Sequence, residues 1–147
     1  MILGWMSMIA RLAALVFLAM LLANWRPPED GAIRVAESDG GEQQSQCEKD
    51  LAVGRYYVGK RDYVAGINRF RSIVQKCPTF SGTPEALAHL AKGYLILGIP
   101  LEAQTAVAVL ERKFPGTQFT ADARNALSAA GLEPLEDKKS WIALAFQ

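Results

Sequence analysis

The sequence predicts an all-α fold, two copies of a helical hairpin followed by a capping helix. Three observations predict it: a recurring pattern of small and large residues, prolines and glycines that punctuate it at helix lengths, and apolar positions spaced by three and four. The recurrence emerges when Pro78 and Pro115 are set at position 32 of a 34-residue frame. Position 8 is then Gly54 and Ala91, position 11 Tyr57 and Tyr94, position 20 Gly66 and Ala103, and position 24 Phe70 and Val107. Small residues at 8 and 20 let two helices approach closely, and the residues at 11 and 24 fill the space between them. This is the tetratricopeptide (TPR) pattern. The copies are offset by 37 residues, so about three residues are inserted between them, in the Phe80-Ser81-Gly82-Thr83 turn.

Residues 1–25 read as a signal peptide or a membrane anchor. Ser7 and Arg11 are the polar side chains between Met1 and Ala23, and the uninterrupted stretch Leu12–Ala23 is twelve residues long, which suits a signal-peptide core better than a bilayer span. A start at Met8 makes Met8-Ile9-Ala10-Arg11 a short basic leader. Residues 26–46 hold Pro27, Pro28, Gly31, Gly40, Gly41 and five acidic residues; this is the composition of a flexible linker. An exported domain beyond such a tether works in an oxidising compartment if the cell is bacterial.

Residues 47–131 form the TPR-like domain. Helix one is predicted from about Cys47 to Lys60, with Leu51, Tyr57 and Val58 among its apolar positions. Asp62 begins helix two, whose inward set is Val64, Ile67, Phe70, Ile73 and Val74, and Pro78 ends it. Helix three starts near Pro84-Glu85, where proline suits the first turn and glutamate the helix dipole, and Gly98 closes it. Helix four runs from Pro100 to Phe114 with Leu101, Val107 and Leu110 inward. The capping helix spans about Gln118 to Ala130, placing Phe119, Ala123, Ala126, Leu127 and Ala130 on one stripe before Gly131. Residues 132–147 are read as a polar linker, Glu133 to Ser140, and a short apolar tail, Trp141 to Phe146.

The chain has 147 residues, 21% of them charged, with a formal net charge of +1. That leaves room for one modest domain, and the balance speaks against nucleic acid as a partner. Catalysis finds little support. The one histidine, His89, is read as having no serine, cysteine or carboxylate at a spacing that would place it beside the imidazole on the same helical face. A hydrolase built on it is the third-ranked reading. No phosphate loop or metal-ligand spacing occurs, so no cofactor, metal or small-molecule substrate is implied, and the chain is read as non-catalytic.

A surface for another protein remains. Position 9 of a TPR hairpin faces the concave groove, and here it is Arg55 and Lys92, a pair suited to acidic groups of a partner or to solvation. Around helix two the basic bias is stronger, with Lys60, Arg61, Arg69, Arg71 and Lys76 against Asp62. Cys47 and Cys77 each stand fifteen residues from Asp62, the turn of the first hairpin. They therefore lie opposite one another at its open end. Inward-pointing cysteines would bring their Cα atoms within the roughly 7 Å that a disulfide requires; otherwise both remain free thiols.

Arg55-Tyr56-Tyr57, Tyr63-Val64-Ala65-Gly66-Ile67-Asn68-Arg69-Phe70, Glu85-Ala86-Leu87 and Tyr94-Leu95-Ile96-Leu97-Gly98 resemble the C-terminal TPR repeats of the BamD family. Phe114-Pro115-Gly116, Ala121-Asp122-Ala123 and Ser140-Trp141-Ile142 extend the likeness over about Leu51 to Phe146. The resemblance implies a periplasmic scaffold at the outer membrane, working in β-barrel protein assembly with other Bam components. It also implies that Arg69 lies at the contact with the POTRA domains of a BamA-like partner. Asn24 stands where the family places a lipidated cysteine, so an unlipidated N-terminus is expected. The alternative is a TPR adaptor in cell-wall or division coordination, held to the inner membrane by an uncleaved Leu12–Ala23.

Overall fold

The computed structural model describes residues 30–147, with side chains from Gly40 onward; the segment read as a signal or anchor lies outside them. The described elements are all helical: α1 (Asp30–Gly59), α2 (Tyr63–Lys76), α3 (Thr83–Ile96), α4 (Pro100–Lys113), α5 (Gln118–Ala129) and the short α6 (Trp141–Leu144). The compact unit comprises Ser38–Gln147. In it α1 with α2 and α3 with α4 make the two TPR-like hairpins, and α5 packs on α3 and α4 as the cap. Among the described residues no helix is long and apolar enough to cross a membrane.

Local chemistry sets the helix ends. The Asp62 carboxylate accepts from the Ala65 N–H at 3.1 Å, satisfying one of the four donors that a helix start leaves unpaired. Just before it, Arg61 adopts φ 62°, a left-handed conformation that favours glycine, and so closes the tight turn between α1 and α2. Pro84 and Pro100 open α3 and α4 within the first turn, where no proline N–H is missed. Gly98 (φ 72°) terminates α3 and Gly131 (φ 72°) terminates α5.

α1 and α2 approach closely at Gly54, where a Cβ would lie 2.5 Å from the Phe70 ring, and at Gly66, where one would lie 2.9 Å from Val58. The small residues at positions 8 and 20 thus do what the pattern requires. Around them, Phe70, Ile73, Val74, Leu87, Leu90, Val107, Leu110 and Leu127 are fully buried. Burial of side chains of this size contributes about 1.5–3 kcal/mol each.

The structure corrects several details. Val64 and Leu101, both expected to point inward, are 58% and 44% exposed. Both occupy position 18, the first turn of a hairpin's second helix, where the connection opens to solvent. In α5, Phe119 is 37% exposed and Ala130 lies beyond the helix. The buried residue of that first turn is Thr120, whose hydroxyl donates to the Phe114 carbonyl at 2.8 Å. α1 starts upstream of Cys47, so Gly40–Gln46, assigned to the linker, is helical, and Gln43 donates to the Lys76 carbonyl at 2.6 Å.

The C-terminal tail is docked. Ile142 and Ala143 are fully buried and Phe146 nearly so, its ring edge-on to Phe114 at 6.0 Å. The preceding polar stretch lies along α4 through side-chain bonds. Thr105 Oγ1 accepts from the Asp137 N–H at 3.1 Å, Gln104 donates to the Glu133 carbonyl at 2.8 Å, and Ser140 Oγ donates to Glu102 at 2.6 Å.

Candidate functional site

The four basic residues singled out in the sequence fall into three separate settings. Arg55, on α1, reaches across to Glu85 in the first turn of α3 and holds it with two parallel bonds, Nε to Oε1 and Nη2 to Oε2, both 2.5 Å. Glu85 is also 3.6 Å from His89 Nε2, one turn further along α3. The Arg55 guanidinium keeps the Glu85 carboxyl below its ordinary range. Burial pushes the His89 imidazole down, against the pull of Glu85 and with the help of Lys92. Lys92 stands three residues after His89 and seven after Glu85, the spacing that places it on the same face of α3. His89 is fixed from its other side, stacked on Phe70 with centroids 4.7 Å apart and planes 6° apart.

Arg69 has a different environment. One Nη reaches Asp50 on α1 at 3.3 Å. Asp50 is only 4% exposed and also accepts from Gln46 at 3.5 Å, whereas about half of the Arg69 side chain remains in solvent. Beside it a shallow cleft of about 210 Å³ is lined by Tyr57, Ala65, Asn68 and Arg69. An arginine carries five donors in a planar fork, and a single contact to Asp50 leaves most of that fork available. Arg55, by contrast, has its fork filled by Glu85.

Arg71 turns toward the C-terminus and lies over the Trp141 ring, 4.8 Å from its centroid, a cation–π contact. Trp141 also meets Tyr94, whose hydroxyl burial pushes above its ordinary pKa.

Cys47 and Cys77 are joined by a disulfide with Cα atoms 6.6 Å apart. It ties α1 to the end of α2, beside the bond from Gln43 to Lys76. Both sulfurs are buried.

Sequence reasoning missed Glu85 as the acceptor that organises Arg55 and His89, and Asp50 as the anchor of Arg69. Arg55 and Glu85 are 30 residues apart and Arg69 and Asp50 are 19, so helix periodicity could not join those two pairs. Glu85 and His89, four residues apart on one face of α3, it does join, and the expectation that no carboxylate lies beside the imidazole is thereby corrected. The TPR frame held the available signal, because a charged residue at position 4, Asp50, stands where the second copy has Leu87. Among the described residues no group of histidine, cysteine and carboxylates could hold a metal ion.

A family described as outer membrane lipoprotein, YfiO, matches residues 44–110, the span of the two hairpins. Three curated relatives share the name outer membrane protein assembly factor BamD. The chain is 40% identical to that of Caulobacter vibrioides over 86 residues, 58% of this chain and 28% of the relative. It is 32% identical to that of Rickettsia prowazekii over 71 residues and 34% identical to that of Neisseria meningitidis serogroup A over 74 residues, in each case covering about half of this chain and 28% of the relative. The matched region thus spans little more than a quarter of these relatives. No solved structure matches the chain.

Proposed function

Since the chain belongs, through its two helical hairpins, to the family of the BamD outer-membrane assembly factors, we propose that it is a non-catalytic scaffold in the assembly of outer-membrane β-barrel proteins. It works in the periplasm at the outer membrane and binds a BamA-like partner together with other Bam components. The observation that carries this reading is the similarity over residues 44–110, where the candidate binding residues lie. That similarity gives no support to an inner-membrane adaptor.

The partner is held mainly by Arg69. Asp50 fixes the position of the guanidinium, so little side-chain freedom is lost when a partner carboxylate pairs with the unfilled edge of the fork. Arg71, with its face on Trp141 and its edge exposed, offers a second such contact. Arg55 and Lys92 act less directly: Arg55 is occupied by Glu85, and Lys92 supplies positive potential beside it.

The test is copurification from solubilised envelopes with the full chain, wild type and Arg69→Ala. A BamA-like protein should accompany the wild type and be depleted at least tenfold with Arg69→Ala. Because Arg69→Ala leaves the buried Asp50 unpaired, the double variant Asp50→Asn with Arg69→Ala separates binding from folding. It should restore the melting temperature and leave binding weak. Copurification of a BamA-like protein with both variants at wild-type yield, or its absence from the wild-type sample, contradicts the proposal.

A further inference from the structure

The turns of the two hairpins lie at the same end of the domain, because Gly93 near the end of α3 packs against Ile67 near the start of α2, a Cβ on Gly93 sitting 3.0 Å from the isoleucine. Their chemistry is opposite. Positions 13 to 18 of the repeat frame are Gly59-Lys60-Arg61-Asp62-Tyr63-Val64 in the first copy and Ile96-Leu97-Gly98-Ile99-Pro100-Leu101 in the second. The first turn is charged, whereas the second carries no polar side chain, and every residue of it is exposed, Ile96 by 56%. Closing the turn requires only Gly98 in its left-handed conformation, φ 72°. The aliphatic side chains around it contribute little to the core. Two more exposed residues extend this apolar edge: Val64 in the first turn of α2, and Leu135, whose carbonyl shares the Thr105 hydroxyl with that of Leu101.

We propose that this end of the domain docks on an anionic phospholipid surface, the Ile96–Leu101 tip entering the headgroup region while the cations around it meet the phosphates. Lys60 and Arg61 come from the neighbouring turn. Lys138 and Lys139 are brought to the same end by the bond from Ser140 Oγ to Glu102 in the first turn of α4. All four are exposed, and among the described residues none forms an ion pair. The carboxylates here are engaged within the chain: Asp62 caps α2, Asp137 accepts from the Lys139 N–H at 3.0 Å, and Glu102 holds Ser140. Residue types select the partner. The centre of a protein interface is enriched in aromatic residues, methionine and arginine and poor in lysine, whereas this centre is aliphatic and three of its four flanking cations are lysines. Apolar side chains rimmed by lysine are what an anionic bilayer surface binds. With so few side chains entering, the attachment is weak and salt-dependent. The surface shares no residue with the Arg69 site, and the inference stands whichever partner Arg69 meets.

The experiment replaces Ile99 of the full chain with the fluorescent residue dansylalanine and, as a control, Lys113 at the opposite end of α4. Each protein is mixed with vesicles of phosphatidylethanolamine and phosphatidylglycerol that carry a spin-labelled quenching lipid. Quenching at Ile99 should exceed that at Lys113 severalfold. It should fall severalfold in phosphatidylcholine vesicles, at high salt, and when Lys60→Glu, Lys138→Glu and Lys139→Glu are combined. These side chains are exposed, so the triple variant should melt with the wild type, and the lipid and salt comparisons carry the test without it. Equal quenching at the two sites, or quenching at Ile99 that ignores lipid charge, overturns the proposal. In intact envelopes, benzoylphenylalanine in place of Ile99 should cross-link to lipid. An adduct with a protein instead, whether another polypeptide or a second copy of this chain, overturns it too.

Discussion

The two hairpins share one pattern and are stabilised by different means. In the second, α3 touches α2, α4 and α5, and positions 3, 4, 7 and 8 of its first helix, Ala86, Leu87, Leu90 and Ala91, are wholly buried. The first hairpin packs its inner side through Leu51, Gly54 and Phe70 and leaves the opposite side of α1 in solvent. To this α1 adds polar and covalent connections: the Cys47–Cys77 disulfide, the Asp50–Arg69 pair and the Arg55–Glu85 pair. The difference teaches that a repeat flanked on both sides can rely on apolar burial, which is independent of redox state. A repeat with an open face adds cross-links that respond to redox state and pH.

The largest effect that sharpens this contrast is at position 7. Leu90→Ala should destabilise the domain by up to about 5 kcal/mol, because a fully buried leucine is lost and a cavity is left. Val53→Ala, at the same position of the first hairpin, should change stability by less than about 0.5 kcal/mol. Denaturant unfolding of both variants checks this, and similar losses would show that the two faces are equally buried.

The next effect is covalent. The disulfide closes a loop of 30 residues, for which the chain-entropy relation gives roughly 3 to 4 kcal/mol. Cys47→Ser with Cys77→Ser should lower the melting temperature of the oxidised protein to that of the wild type under reductant. Reductant should have no effect on the variant. A wild type whose melting is indifferent to reductant breaks this half of the comparison.

The smallest effect is that of pH. Burial lowers the pKa of His89 in the folded state from 6.5, so the folded protein binds fewer protons than the unfolded chain in that range. Stability is then full above about pH 6.5 and falls as pH drops through it. Glu85, whose pKa is lowered chiefly by Arg55, adds stability above about 4.5 that is lost on further acidification. His89→Phe keeps the stack on Phe70 and should flatten the dependence between pH 7.5 and 5.5. An unchanged slope would assign the effect to other groups.

Much of this fold was legible in the sequence because its signals are local. Prolines at helix starts, Gly98 and Gly131 at helix ends and the Asp62 cap each act within one turn, and the Gly54 and Gly66 approach follows from a repeat frame that two prolines define. Position 18 was misread twice, at Val64 and Leu101, because periodicity marks which side of a helix is apolar without showing that its first turn extends past the neighbour. The docked tail escaped for another reason. Trp141 to Phe146 has the composition of an exposed apolar end, and only the groove beside α4 and the bonds from Thr105, Gln104 and Glu102 make it part of the core. The site was partly legible. Residue types at positions 9 and 23 marked Arg55, Lys92 and Arg69, but their partners Glu85 and Asp50 are set by helix packing, which no sequence spacing encodes.

Native-state hydrogen exchange on the oxidised full chain tests most directly whether the second hairpin carries the fold and the first is tied to it. Amides of α3 and α4 should exchange only through global opening, those of α1 and α2 through smaller openings, and reductant should accelerate exchange first in α1 between Cys47 and Gly59. Equal protection across both hairpins, or a reductant effect as large in α3 and α4 as in α1, would contradict the account.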